Sequence, residues 1–363
     1  MELDSLLHQL VKESASDLHL KAGSPAMMRR HGQLTPMNNQ KLMADDTLKI
    51  AQSITPPHLK DRFSTIGSLD FSYSISGLAR FRVNVFHQRN AISLVMRVVQ
   101  FDIPCFEELG LPPAIKEISE NDRGLVLVTG VTGSGKSTTL AAMIEHINQT
   151  RKVHIVTIED PIEYLYSDKK SIINQQELGI DTPSFEDALK HVLRQDPDVI
   201  LIGEMRDKET ILSAVKAAET GHLVFSTLHT ADAMQTVDRI LKYFPPDEQD
   251  LIRMQLSLNL RGVISQRLLK CKDGAGRVPA IEVMVGTPIV SKLILQGKTN
   301  DLRQAIQNRE KGMQSFLQSL VAHVKSEKVD LEEAMRNTEQ PLALQRNITG
   351  GYSDGDRAGL ISF

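Results

Sequence analysis

Residues 124–137 read Gly-Leu-Val-Leu-Val-Thr-Gly-Val-Thr-Gly-Ser-Gly-Lys-Ser. The apolar run 124–129 predicts a short buried strand, residues 130–137 have the form G-x-x-x-x-G-K-S, and Thr138–Asn148 continues with a helical pattern. Gly130, Gly133 and Gly135 allow the tight wrap in which successive backbone N–H groups face phosphate oxygens. The start of the following helix adds its dipole at the same spot. Lys136 is suited to the terminal phosphates and the Ser137 hydroxyl to Mg²⁺, with Thr132, Ser134 and Thr138 completing the phosphate-contacting set. Strand, glycines, Lys-Ser pair and helix in this order imply a nucleoside triphosphate site for ATP and Mg²⁺.

Outward from the loop, apolar strands and helices alternate over 124–129, 137–149, 153–158, 184–194, 198–202, 207–219 and 223–227, the rhythm of a parallel sheet covered on both faces. Ligand-binding groups in such sheets lie at the carboxyl ends of the strands. Two strands end in acids: one runs into Glu159-Asp160-Pro-Ile-Glu163, the other into Gly203-Glu204-Met-Arg-Asp207. Glu204 is the candidate for polarising the attacking water. Glu163 is the candidate for holding Mg²⁺ or its water, and Asp207 equally suits a helix N-cap. Histidines bracket the strand Gly221-His222-Leu-Val-Phe-Ser-Thr-Leu-His229-Thr230, which makes His222 and His229 candidates for sensing the γ-phosphate or coupling subunits. Their spacing of seven does not suit a zinc pair.

The N-terminal third has a different texture. Leu3, Leu6, Leu7, Leu10 and Val11 share a helical face, Asp17–Leu20 alternates as a strand, and 46–53 predicts a second helix. Alternation over 70–75, 80–85 and 91–99 predicts antiparallel strands that carry Arg80, Arg82 and Arg97 on polar faces. Solvated arginines are the ordinary reading; in a two-domain ATPase, Arg82 and Arg97 can instead complete a transition-state cage. Beyond the ATPase core, 247–270 has a helical pattern, 278–285 a strand, and 287–338 is all-helical, with Asp330 and Glu333 suited to a capping box. The expected organisation is a small α+β domain at 1–100, a linker at 101–123, an ATPase core at 124–286, a helical region at 287–340 and a flexible tail at 341–363.

Among 363 residues, 41% are hydrophobic and 24% charged, with net charge −3, so there is no global field for nucleic acid or anionic lipid. Neither a basic stripe with interleaved aromatics nor a tryptophan is present, and a nucleic-acid partner is not expected. Two cysteines, Cys105 and Cys271, are too few for a tetrathiolate zinc site. No apolar run is long enough to span a bilayer, and charges in the first twenty residues exclude a secretory leader, so a cytoplasmic protein is expected.

In order along the chain, the phosphate loop, Thr157-Ile-Glu-Asp-Pro-Ile-Glu163, Leu201-Ile-Gly-Glu-Met-Arg-Asp207 and the 219–230 segment resemble the Walker A, Asp, Walker B and His boxes of secretion-type ATPases. Ser16-Asp-Leu-His-Leu20, Arg80-Phe-Arg82 and Phe106-Glu-Glu-Leu-Gly-Leu-Pro-Pro113 narrow the resemblance to the type IV pilus retraction ATPases, the PilT and PilU proteins. The resemblance implies a PAS-like N-terminal domain, a RecA-like P-loop domain and a homohexamer. It also implies ATP between the two domains, docking beneath the inner-membrane platform protein of the pilus machine, and a peripheral place at that membrane. It assigns Glu204 as the catalytic glutamate, Glu163 as the Asp-box glutamate, Arg82 and Arg97 as arginines that reach the nucleotide, and His222 and His229 as the His box. Phe86–Arg89 resembles PilT, whereas Leu256–Arg261 and Gly312–Phe316 resemble PilU, so a primary motor and an accessory one working with a paralogous ATPase both stay open. An assembly or type II secretion ATPase is the other alternative; those relatives carry an extra N-terminal domain and a four-cysteine insert.

Overall fold

The computed structural model describes residues 2–349, apart from residues 31, 100, 101 and 275. The chain divides into two units, one running to Asp102 and including Pro161–Leu165, the other formed by Ile103–Asp160 and Tyr166 onward.

In the first unit, α1 (Leu3–Lys12) buries Leu3, Leu6, Leu7 and Leu10, the stripe that its spacing predicts. It precedes β1 (Asp17–Lys21), β2 (Pro25–Arg30) and β3 (Gln33–Lys41). Then come α2 (Ala44–Ile54), α3 (Lys60–Ile66), β4 (Ser68–Ile75), β5 (Ala79–Gln88) and β6 (Ala91–Val98). The strands form one antiparallel sheet in the order β3-β2-β1-β6-β5-β4. Alternate residues Phe71, Phe81, Val83, Val85, Leu94 and Met96 turn into its core, and Arg82 and Arg97 stand on the other face as the alternation requires.

The second unit opens with α4 (Pro113–Ser119), β7 (Gly124–Thr129), α5 (Lys136–Thr150), β8 (His154–Glu159) and β9 (Ile172–Glu177). It continues through α6 (Phe185–Val192), β10 (Val199–Ile202), α7 (Lys208–Glu219), β11 (Leu223–Leu228), α8 (Ala233–Lys242) and α9 (Pro246–Asn259). The last elements are β12 (Leu260–Lys270), β13 (Arg277–Val285), α10 (Pro288–Leu295), α11 (Leu302–Gln307), α12 (Phe316–Lys325), α13 (Leu331–Arg336) and α14 (Pro341–Thr349). The strand order is β13-β12-β7-β11-β10-β8-β9, parallel throughout except for the β12–β13 pair. Side chains alternate between two cores: Leu125 and Leu127 enter one with α7 and α8, Val126 and Val128 the other with α4 and α5. This is the expected α/β organisation, an antiparallel-sheet unit followed by a parallel-sheet unit.

Several expectations change. Residues 260–270, expected as helix, are the strand β12, because β7 and β13 pair with them on both sides. Helical and strand readings of a short apolar run cannot be separated by periodicity. Gly262 decides the fit: a Cβ there would lie 2.8 Å from Ile118 Cδ1. The expected linker contains α4, whose Ile115 and Ile118 are buried in the second unit. Residues 341–349, assigned to a flexible tail, form α14 and bury Leu344 with Leu320 and Val321; residues 350–363 lie outside the described residues. Asp330 caps α13 with no side-chain bond, and Glu333 Oε1 instead accepts from the Lys270 amide at 3.2 Å. The polar edge strand β9 was not expected, since Asn174-Gln-Gln-Glu177 carries little β signal.

Candidate active site

β7 lies inside the sheet and delivers Thr129 to its carboxyl edge, where the chain turns through Gly130 (φ 144°), Gly133 (φ 78°) and Gly135 (φ 90°) into α5. A Cβ at Gly130 would fall 2.5 Å from both Gln266 O and Ser134 Oγ, so only glycine fits there. No side chain caps α5, which leaves its first N–H groups as donors for an anion. Lys136 Nζ donates to the carbonyls of Gly130 (2.9 Å) and Val131 (3.2 Å), which holds the ammonium over the loop. Ser137 and Thr138 are half-buried in the first turn, while Val131 and Thr132 are exposed. Behind the loop, Thr129 Oγ1 and Ser265 Oγ are bonded at 2.8 Å, and Gln266 Nε2 donates to Thr139 Oγ1 at 2.8 Å. A groove of about 920 Å³ runs beside the loop, floored by Ser134, Gly135 and Thr138 and walled by Leu109, Leu268 and Val278.

Glu204 follows β10, two strands from β7 along the same edge, roughly 10 Å by sheet spacing. Gly203 lets the chain leave β10 closely against β8: its amide donates to Ile158 O at 2.8 Å, and a Cβ there would sit 3.2 Å from that same oxygen. Thr227 Oγ1 donates to Gly203 O (2.7 Å) and the Met205 amide to Thr227 O (3.1 Å), which fixes the backbone on both sides of Glu204. Arg206 Nη2 is 2.8 Å from Glu204 Oε2, and His229 Nε2 is 3.3 Å from Oε1. Burial pushes the Glu204 carboxyl up, but the bond and charge of Arg206, with His229, outweigh it and hold the group below the usual carboxylate range. Glu204 is thus an ionised, oriented carboxylate. Asp207, in contrast, caps α7 by accepting the Thr210 amide at 2.8 Å.

His229 and Glu204 are therefore brought together. His222 is not part of that group: it precedes β11 and its ring bonds Ala217 O at 2.9 Å. The six residues of β11 separate it from His229 by about 20 Å at ordinary strand rise. Glu163 is exposed, on the 161–165 segment that belongs to the first unit. In that unit Arg82 and Arg97 face each other across β5 and β6, and Arg97 Nε donates to the buried Asp17 Oδ1 at 2.7 Å. Sequence reasoning missed Arg206. Its signal was present, a cation two residues after a strand-end acid, but the contact depends on how the loop turns.

The family model of type II/IV secretion system proteins matches residues 2–337. The chain belongs to this family. Within it, the chain is 46% identical to the type IV pilus retraction ATPase PilT of Pseudomonas aeruginosa over 89% of its own length and 94% of that protein's. It is 40% identical to the type IV pilus ATPase PilU of the same organism, over 100% and 95% of the two chains. The crystal structure of the pilus retraction motor PilT with bound ADP superposes with a TM-score of 0.89 at 44% identity, covering 95% of this chain and 99% of that one. Among the described residues, no helix of this secretion-family protein is long and apolar enough to cross a membrane.

Proposed function

We propose that this chain is a motor ATPase that hydrolyses ATP to drive type IV pilus retraction. The observation that carries the reading is the ionised Glu204, clamped by Arg206 and His229 at the sheet edge that bears a complete phosphate loop. Lys136 and the N–H groups of the loop bind the phosphates, Glu204 orients the attacking water, and His229 keeps Glu204 in place. Mg²⁺ would be held by Ser137 and Glu163, both hard oxygen donors, and would neutralise charge on the phosphates. Mg²⁺ takes only one or two protein oxygens beside the nucleotide's own, so two such donors suit it. Arg82 and Arg97 would stabilise the transferred phosphoryl group. His222, remote from Glu204 in its own sheet, would act on a neighbouring subunit if it acts on a nucleotide.

The working form we propose is a homohexamer, docked on the platform protein at the cytoplasmic face of the inner membrane. The 46% identity with PilT supports the primary motor; the full-length match to PilU keeps the accessory role, beside a paralogous ATPase, as the second reading. Deletion of the gene with live imaging of pili tests the direction of force. Excess pili that fail to retract support the proposal; a strain without pili gives the assembly role instead, and normal pilus dynamics overturn both. Sedimentation of the purified protein with Mg²⁺ and nucleotide tests the ring.

A further inference from the structure

β13 sends one acid into the interior. Glu282 follows Ala280 and Ile281 in a strand whose neighbours are apolar, and its Oε1 accepts the N–H of Ala233, the first residue of α8, at 3.0 Å. The strand register gives this contact its reach. Thr129 pairs with Ser265, and Ser265 pairs with Glu282, so one lateral row joins the last residue before the phosphate loop to the start of α8. The hydroxyls of Thr129 and Ser265 bond within that row.

α8 begins just past the loop that carries His229. Asp232 caps the helix by accepting the Gln235 amide at 2.7 Å, Thr230 Oγ1 lies 2.7 Å from Thr236 Oγ1, and Thr236 Oγ1 donates to Asp232 O. The histidine loop is therefore stretched between β11 at one end and a helix start seated on Glu282 at the other. The charged groups that bear on Glu282 are Asp232 on the α8 cap, Arg267 on β12 and Arg303 on α11. Arg267 is already engaged by Asn337 O and Glu339 and lies over the Phe316 ring. Burial outweighs the pull of the arginines and of the Ala233 amide and pushes the carboxyl up to about 7. A cavity of about 60 Å³, lined by Glu282, Asp232, Arg267 and Arg303, has room for water and hence a route for the proton.

We propose that Glu282 is a positioning residue for hydrolysis, whose carboxylate seats the start of α8 and so holds His229 against Glu204 in register with the phosphate loop. The proposal rests on Glu204 being the hydrolytic carboxylate. An ionised acceptor at a helix start binds more strongly than a neutral one, through both the charge-assisted bond and the helix dipole. Loss of the Glu282 proton therefore tightens the histidine loop, and turnover rises with it.

The test compares wild type, Glu282→Gln and Glu204→Gln for turnover and ATP affinity between about pH 6 and about pH 8. Gln keeps an oxygen for the Ala233 amide but cannot ionise. Turnover of the wild type should rise about threefold or more across the window, while Glu282→Gln stays flat at the lower value, with equal ATP affinity in the two proteins. Glu282→Met, which removes the acceptor, should lower turnover by about tenfold at unchanged ATP affinity; if it does not fold, the Gln arm decides. Superimposable pH profiles for wild type and Glu282→Gln overturn the proposal, as does a parallel loss of affinity and turnover. Glu204→Gln separates the failures. If it hydrolyses normally, the assignment of Glu204 is wrong and this inference falls with it; if it is inactive while Glu282→Gln copies the wild-type profile, only the positioning role is wrong.

Discussion

His229 Nε2 stands 3.3 Å from Glu204 Oε1 while Arg206 Nη2 holds the other carboxylate oxygen at 2.8 Å, so two loops from adjacent parallel strands share one ionised group. The carboxylate is oriented from both sides, and its low proton affinity keeps it charged through the neutral range. Orientation and charge are the two properties that a water-positioning glutamate needs.

Glu204→Gln should retain ATP and lower turnover by about 10²-fold or more, because shape and hydrogen-bonding reach survive and the charge does not. Arg206→Ala should behave differently. With the guanidinium gone, burial acts on Glu204 opposed only by His229, and the carboxyl rises. A raised carboxyl is protonated earlier as pH falls, so Arg206→Ala should lose turnover in acid more steeply than the wild type does. Steady-state rates across pH decide it; equal profiles would leave Arg206 as a surface ion pair.

The loop glycines should not be equivalent. At Gly130 a methyl group meets the Gln266 carbonyl and Ser134 at 2.5 Å, with backbone on one side that cannot move aside. Gly130→Ala should lose ATP binding by at least tenfold, much as Lys136→Ala should, while the sheet survives. At Gly133 nothing lies within 4 Å, so alanine there meets only the cost of a left-handed backbone, about 1–2 kcal/mol. Nucleotide titration of both variants by calorimetry checks the order.

Much of this arrangement is legible in the chain, and the reasons differ by residue. The phosphate loop is local: strand, glycines, Lys136 and helix follow one another within about thirty residues of a single unit. Glu204 and His229 are legible as strand-end residues, since a parallel sheet sends all such ends to one edge. Arg206 and Glu282 are not, because their partners are set by loop path and by the register of β12 and β13. Reading 260–270 as helix removed the strand through which Glu282 reaches Thr129. Even so, Ala280-Ile-Glu-Val-Met284 places a lone acid inside an apolar strand, which is a signal of burial with a purpose. His222 and His229 are told apart by the same strand-end rule, since only the carboxyl end of β11, which runs into His229, shares the edge of the phosphate loop.

Arg97 carries structure as well as charge. Asp17 is buried; burial raises its carboxyl, and the Ser16 hydroxyl and Arg97 outweigh that and hold it low. A depressed carboxyl contributes stability above its unfolded midpoint and loses it as pH falls through the folded one. Arg97→Ala should therefore lower stability by on the order of 1 kcal/mol at neutral pH, with the deficit closing in acid. Arg82→Ala, with no buried acid to abandon, should leave stability nearly unchanged. Thermal melts across pH separate the two, and any loss of turnover in Arg97→Ala has to be read against them.

Glu282 predicts the opposite slope. Its carboxyl is raised from 4.5 to about 7, so the folded protein holds a proton that the unfolded chain has released. Stability from this group falls as pH climbs from about 4.5 to about 7 and is level above, a difference on the order of 3 kcal/mol. Glu282→Gln removes that slope, so its melting temperature should overtake the wild type's on the alkaline side even though its turnover is lower. A variant that melts in parallel with wild type at every pH would mean that Glu282 titrates like an exposed acid.

The α10 helix separates packing from docking. Val290 and Ile294 are buried in one core with Ile252 and Leu256 of α9, whereas Ile289 and Leu295 are 53% and 52% exposed, and Leu251 and Leu258 on α9 are exposed as well. Exposed apolar side chains of this kind are suited to a partner protein. Ile294→Ala should destabilise by about 2–5 kcal/mol through a core cavity and take hydrolysis down with it. Ile289→Ser and Leu295→Ser should stay within about 0.5 kcal/mol of wild type and hydrolyse ATP normally. In cells, the two surface variants should nevertheless lose pilus retraction, because in the proposed motor force must leave through an outer face. Wild-type retraction in the Ile289→Ser, Leu295→Ser double variant would move the docking face elsewhere, and loss of hydrolysis in it would mean that these residues serve the ATPase itself.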